Sequence, residues 1–588
     1  GLGDINSATL SALAARVNGL ARDVALLREL LKGDPLIALA RGMGLGDRFF
    51  SDAETVLAAA ADLAAAGQAG IAVGKRFVAA RDDGAADDSI LARLAQAMSE
   101  STAEVDRMTD LVARAGATLD RLPPDANAQI NSTAAWMRGA VERYQPQLEQ
   151  LRAIQQVLPR MLGLEGPQRY LVLAQNPAEL RPTGGYAGTV GIIGFDHGRV
   201  TERAFQDVYL LDLIPGVPFV EPPVALADHL LGDQSWKLAD ANWSPDFATS
   251  ARRALELYSL ESGDTDVAGV IALTTYAVDR LLEVIGPVEV PGYGVSVLAG
   301  EVTMTALGQT RGISVPGFDR KKFLGDLANT VIDRLFALSP DRWDDLFAAL
   351  SDIADERLML AWFNDPAAQA LIADAPVGGA VRDDPGDYLY VVEANVSPPS
   401  KYNLVVDRTD ELTVTLAADG SASTTLAMDW ANNALTPGEP YASLRSYSAS
   451  EAGLYGSYVR VLAPASAQLT SAAGAGVDPV EDAEEISTEA GRAVFGNYLL
   501  IAPGTAELEY DWTTNGVSTQ AADGLWTYRL VVQKQPGLRP VPLSVLVDLP
   551  ANATIEWVSE GAIAVANTIS YATALRTDTE VVIRYRLP

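Results

Sequence analysis

The stretch Gln168-Arg-Tyr-Leu-Val-Leu-Ala-Gln-Asn-Pro-Ala-Glu-Leu-Arg-Pro-Thr-Gly-Gly-Tyr186 decides how the chain is read. Its opening residues, as far as Gln175, form an apolar run that stops at Asn-Pro, the pattern of a buried strand ended by a turn. A second strand follows as Tyr186-Ala-Gly-Thr-Val-Gly-Ile-Ile-Gly-Phe195, closed by the turn Asp196-His-Gly198. Between them lies a tight connection with Arg181, Pro182-Thr183 and Gly184-Gly185. A backbone of this kind can approach an anion closely, and a guanidinium can offer it two parallel donors. The same residues also fit a plain turn in which Arg181 pairs with Glu179 or another local acid.

Outward from that stretch, strands and helices interleave. Helical spacing runs from Phe247 to Leu260, a strand from Val267 to Leu273, a helix from Tyr276 to Ile285, and a short strand over Gly286-Pro-Val-Glu-Val-Pro291. Further helices are built on Phe323, Leu324, Leu327, Val331, Leu335 and Phe336. This alternation predicts an α/β domain over residues 163–380. Before it, Leu10, Leu13, Val17, Leu20, Val24, Leu27 and Leu31 alternate spacings of three and four, the seam of a heptad repeat. A second seam runs from Leu91 through Leu94, Met98, Val105, Met108, Val112 and Leu119 to Leu122, with Ser101 and Ala115 as weak members, and stops at Pro123-Pro124. Residues 1–162 are therefore expected to form a helical hairpin or small bundle, a stalk in which the two seams pack together; a coiled-coil oligomer seam is the alternative, disfavoured because three heptads are short for a stable dimer. The glycine-punctuated stretch from Gly67 to Gly84 is expected to hold a break. After residue 380 the chain is short strands and turns, which predicts two β-sandwich modules, 381–515 and 516–588. The expected fold class is multidomain α+β.

Composition narrows the chemistry. The 588 residues are 48% hydrophobic and 20% charged, the profile of a packed multidomain protein. A net charge of −32 opposes binding to nucleic acid. Without cysteine there is no disulfide, thiolate metal site or thiol nucleophile, and His197 and His229 cannot build a multi-histidine metal centre. No GxSxG, Walker loop or strand-coupled GxGxxG occurs. Carboxylate, arginine and divalent-cation chemistry remain. No run of 18 apolar residues and no signal-peptide pattern is present. The start at Gly1 suggests a processed product that has lost a leader or membrane anchor.

The stretch from Tyr170 to Tyr186 resembles the signature of the bacterial domain-of-unknown-function family 4012, found in envelope proteins. Asp240-Ala-Asn-Trp-Ser-Pro-Asp-Phe247, Ala268-Gly-Val-Ile-Ala-Leu273, Ile285-Gly-Pro-Val-Glu-Val290, Val494-Phe-Gly496 and Ala502-Pro-Gly504 carry the resemblance over residues 165 to 510. It implies an extracellular, cell-envelope location and a membrane helix ahead of the helical region, so that the membrane enters only through a missing N-terminal anchor. The element order from 165 to 340 is also similar to the LytR-CpsA-Psr family, which transfers polyprenyl-pyrophosphate-linked glycopolymers to the cell wall. That similarity makes the central domain LytR-CpsA-Psr-like. It implies ligand binding by Arg181, Thr183, Asn242, Arg311, Arg320 and Lys322, with the arginines on pyrophosphate. Thr183 stands where that family has a magnesium-associated aspartate, and Gln206-Asp207 where it has Arg-Asp. Asp207 is then the candidate catalytic residue, and Asp207 and Asp212 the candidate ligands of Mg2+.

Two functions follow as expectations. One is an envelope protein whose α/β domain binds a cell-wall or polyprenyl-linked glycan, as a binder or a divergent phosphotransferase. The other is a non-catalytic structural protein of the cell surface, with self-assembly as its partner interaction. The acidic pairs Asp82-Asp83, Asp87-Asp88, Asp344-Asp345 and Asp383-Asp384 lack the DxDxDG spacing of a calcium loop and read as solvated surface.

Overall fold

A computed structural model of the chain describes residues 7–82, 90–306, 309–310, 313–314, 320–434 and 453–588. The chain divides into two compact units. The first is built on Gly1–Gln168 with Gly194–Glu202 and Phe336–Asp345; the second on Arg169–Ile193, Arg203–Leu335 and Leu346–Pro588.

Among the described residues up to Gln168 the first unit contains the helices α1 (Ser7–Gly33), α2 (Pro35–Gly42), α3 (Asp47–Asp82), α4 (Ile90–Glu100), α5 (Thr102–Leu119) and α6 (Ala128–Met161). Asp34 caps α2, its carboxylate accepting from the Leu36 and Ile37 amides, with Pro35 at the first helical position. The helical region is as expected, but its glycines act differently. α3 runs unbroken through Gly67, Gly70 and Gly74, because these glycines are contact points. A Cβ at Gly67 would lie 3.2 Å from Val17, at Gly70 3.1 Å from the Met108 sulfur, and at Gly74 3.1 Å from Leu10. Leu10 and Val17 of the first seam and Met108 of the second therefore meet α3 at its glycines. The second seam is also divided at Ser101, between α4 and α5. Val24, Val56, Ala59, Leu111, Val112, Ala115, Leu119, Ala134 and Met137 fill the core. Among the described helices α3 alone is long and apolar enough to cross a membrane, and 44% of its most apolar window is buried inside the protein.

A five-stranded sheet contains β1 (Gln168–Asn176), β2 (Tyr186–Asp196), β3 (Arg199–Asp207), β4 (Gly269–Thr274) and β5 (Met359–Phe363), in the order β3-β2-β1-β4-β5. β1 and β4 are parallel, Tyr170 opposite Gly269, and β5 is antiparallel to β4. Asp246 caps the helix Phe247–Ser262 through the Thr249 amide, and Gly263 ends it in the left-handed conformation. Phe247, Ala251, Ala254 and Leu257 of this helix share one core with Leu171, Leu173, Val190, Val270 and Ala272 of the sheet.

Apart from two two-stranded ladders, Val288–Val290 with Val295–Val297 and Gln309–Thr310 with Ile313–Ser314, the other described strands form two large sheets that together resemble a β-sandwich. One of eight strands contains Asp387–Val396, Tyr455–Ala463, Arg492–Ile501, Leu525–Gln533 and Thr579–Arg586; one of seven contains Val406–Leu416, Ala422–Asn432, Gly504–Thr514, Val541–Asp548 and Thr568–Leu575. The two expected modules are not separate bodies. Asp387–Val396 pairs in parallel with Leu525–Gln533, and Val406–Leu416 in parallel with Val541–Asp548. Each module keeps its own antiparallel ladders, and these two parallel pairs make both sheets continuous across the expected boundary. One core, from Leu389 and Trp430 to Val545 and Tyr585, runs through both. Nor is residue 380 a boundary between compact bodies: Ala394, Val396 and Tyr458 of the β region belong to the core of the α/β sheet.

Candidate functional site

The connection Asn176–Tyr186 leaves β1 and turns into the β region. Asn176 accepts the Ala178 amide through its side chain, which begins the turn. Arg181 is 4% exposed. Its Nε donates to Asp240 Oδ1 at 2.9 Å, and its Nη1 donates to the carbonyls of Leu180 at 3.1 Å and Asn395 at 2.6 Å. The guanidinium lies 5.7 Å from the centre of the Tyr186 ring. Glu179, the local acid, pairs with Lys401 instead. The Leu180 amide donates to Asn403 Oδ1 at 3.0 Å, and its carbonyl accepts the Asn395 amide.

Thr183 is fully buried, its hydroxyl accepting from Gln175 Nε2 at 3.1 Å. Gly184 has φ 134°, and a Cβ there would run into the Gln175 side chain. On the other side the Gly184 carbonyl abuts Gly537 so closely that no side chain fits at Gly537. Asn242 is 1% exposed and donates to the Gly185 carbonyl at 2.9 Å, while its Oδ1 has no partner among the described residues. Gln535 reaches the Arg181 carbonyl at 3.3 Å and the Glu393 carbonyl at 2.7 Å. Behind this loop Arg460 donates to the Trp243 carbonyl at 2.6 Å and pairs with Glu489 at 2.8 Å.

A pair of carboxyls lies behind Asp240. Asp212 and Glu261 are 7% and 4% exposed, and each has one oxygen without a hydrogen-bond partner among the described residues. Burial, then the neighbouring charge of Glu261, pushes Asp212 up to about 8. Burial raises Glu261 as well, against the Leu238 amide that donates to it at 3.2 Å. Both shifts favour a proton held by the Asp212–Glu261 pair.

The expected site residues are distributed as follows. Arg181, Thr183 and Asn242 converge, but as a buried clamp between loop and β region and not as the wall of an anion pocket. Asp207 accepts the Tyr209 amide at 3.2 Å and starts the short helix α7 (Tyr209–Asp212). Lys322 pairs with Asp326 one helical turn away at 2.6 Å. Arg311 lies outside the described residues; Arg320 opens the helix Arg320–Phe336, and its side chain is likewise outside them. Among the described residues no three acidic or histidine side chains gather as a metal requires. With Thr183 bound to Gln175 and Asp207 taking the Tyr209 amide, the expected donors do not assemble into a site that fits Mg2+. Sequence reasoning missed Asp240, 59 residues from Arg181, although it lies in the quoted Asp-Ala-Asn-Trp motif. It also missed Asn395, Lys401, Asn403 and Gln535, which carry no local signal.

A second polar site lies inside the β region. Arg408 pairs with Glu393 and, at 2.9 Å, with Asp410, all three buried. Trp430 Nε1 donates to Glu393 at 3.1 Å. A cavity of about 200 Å³ opens beside them, with the Asp407–Arg539 pair among its lining residues. Its charged groups are already paired with one another.

Residues 165–310 match the family DUF4012, described as a protein of unknown function. The match covers the clamp loop, the Asp240–Phe247 motif and β4, and is narrower than the resemblance read from sequence. No curated protein matches the chain. Solved structures with local likeness include native leukotriene A4 hydrolase from Saccharomyces cerevisiae, at 8% identity over 32% of this chain and 31% of that one, TM-score 0.19. An M1 zinc metallopeptidase from Deinococcus radiodurans shares 11% identity over 31% of this chain and 42% of that one, TM-score 0.18. The chain spans less than half the length of either, and likeness at this level carries nothing about fold or activity.

Proposed function

We propose that this is a non-catalytic structural protein of the cell surface, in which the α/β domain serves as a rigid scaffold for the β region. The observation that carries the reading is the state of Arg181. Its Nε and Nη1 donors are directed to Asp240 and to two backbone carbonyls, inside a junction tied by Lys401, Asn403 and Gln535. A guanidinium placed to bind pyrophosphate would face a pocket and keep its fork open. The surface location rests on the resemblance to envelope proteins, and the acidic composition suits an exported, solvated surface.

The experiment is a binding and stability comparison of wild type with Arg181→Ala and Arg181→Lys. A structural Arg181 gives no saturable binding of a polyprenyl pyrophosphate analogue by any of the three. Arg181→Ala then lowers stability by about 3–5 kcal/mol, because Asp240 is left buried and unpaired. Saturable binding by wild type that Arg181→Lys abolishes at unchanged stability would overturn the reading in favour of glycopolymer binding. Protease treatment of intact cells tests the location: degradation supports it, and protection until lysis overturns it.

A further inference from the structure

The first unit presents a second row of apolar side chains that its own core does not use. Leu10 and Val17 of α1 lie against Gly74 and Gly67 of α3, and Val24 is 5% exposed. Leu13, Leu20 and Leu27 lie on an adjoining strip at 48%, 53% and 48% exposure, with Leu30 at 46%. Single exposed leucines need no explanation. These four belong to a set with Arg16 and Asp23 whose members recur at steps of three, four, three, four and three residues, the spacing of a helix-packing seam. The row extends for about 25 Å along the helix at 1.5 Å per residue.

We infer that this face of α1 is a self-association surface, on which α1 of a second copy of the chain lies antiparallel. The charges choose both the occupant and its direction. In a parallel pair Arg16 would face the partner's Arg16 and Asp23 the partner's Asp23, both repulsive. In an antiparallel pair centred on Leu20, Arg16 comes beside the partner's Asp23, and Leu13 comes beside the partner's Leu27. The face is thus complementary to itself under a two-fold rotation, as an isologous dimer requires. Both charged residues are exposed. Gly19, beside the centre, has open space where a side chain would stand, which allows close approach. The pair of charges also specifies register, the role that polar residues take within apolar helix seams. This inference rests on α1 alone and is independent of the surface-protein reading.

The test is sedimentation equilibrium of the full chain from about 1 to about 100 µM, the range in which a weak dimer dissociates. Wild type is expected to move from 62.2 kDa towards twice that mass. Leu20→Glu, Arg16→Asp and Asp23→Arg should each weaken association about tenfold or more, while the double reversal Arg16→Asp with Asp23→Arg restores it to within about threefold. All three positions are solvent-exposed in the monomer, so thermal melts of the four variants should match wild type. A wild type that stays monomeric, a dimer indifferent to these changes, or a double reversal that fails to recover would each overturn the proposal. Uptake onto zwitterionic lipid vesicles without self-association, lost in Leu20→Glu, would also overturn it and assign the face to a lipid surface.

Discussion

Asp212 shows how one side chain can set a pH dependence without taking part in chemistry. Its carboxyl is buried beside Glu261, with Asp240 nearby and engaged by Arg181, and with Lys237 close enough to act on Glu261. Folded, it holds its proton up to about pH 8; unfolded, it ionises near about 3.9. The folded chain therefore binds more protons across that window, so the contribution of Asp212 to stability falls as pH rises from about 4 to about 8. Below the window it is fully present. Asp212→Asn keeps a donor for Glu261 and removes the titration. Urea melts at several pH values should show the variant gaining on wild type as pH rises, by at most about 1.4 kcal/mol per pH unit. A difference that does not vary between pH 5 and 8 would mean that Asp212 is ionised in the folded chain.

At the scale of elements, the glycines of α3 separate what sequence can express from what it cannot. The heptad seams were legible because apolar periodicity is local. Their partner was not, because Gly67, Gly70 and Gly74 read as breakers until Val17, Met108 and Leu10 are seen against them. A larger side chain there overpacks the bundle. Gly70→Val should lower stability by about 1–3 kcal/mol and Gly19→Ala, where space is open, should raise it slightly by helix propensity. Paired thermal melts check both, and equal effects would mean that α3 does not pack through its glycines. The clamp loop has the same division. Its two strands, its glycine turn and the acid-seeking Arg181 could all be read from Gln168–Tyr186. The choice of Asp240 over Glu179 could not, because it depends on Lys401 reaching Glu179 from a strand-rich region more than 200 residues away.

At the scale of the whole molecule, the two parallel strand pairs make the second unit depend on the last 73 residues of the 588. Those residues close both β sheets beside Asp387–Val396 and Val406–Leu416. They also supply Asp578, which holds the buried Arg357 at 2.8 Å, and Gln535, which bonds the Arg181 carbonyl of the clamp loop. Turn signals mark a module boundary near residue 515 because turns are local. The parallel pairing that joins the modules has no local signature, since parallel strands are brought together by distant chain. Truncation after residue 515 would uncover two long strand edges and the apolar side chains of Leu389, Val391, Leu412 and Val414. Exposed edges of this kind pair with other chains. The truncated chain is therefore expected to aggregate, while the full chain gives one cooperative calorimetric transition for the α/β and β regions of the second unit together. Gel filtration and calorimetry decide it: a monodisperse truncated protein with its own cooperative melt would show that the modules fold apart, and that the parallel pairs contribute contact without interdependence.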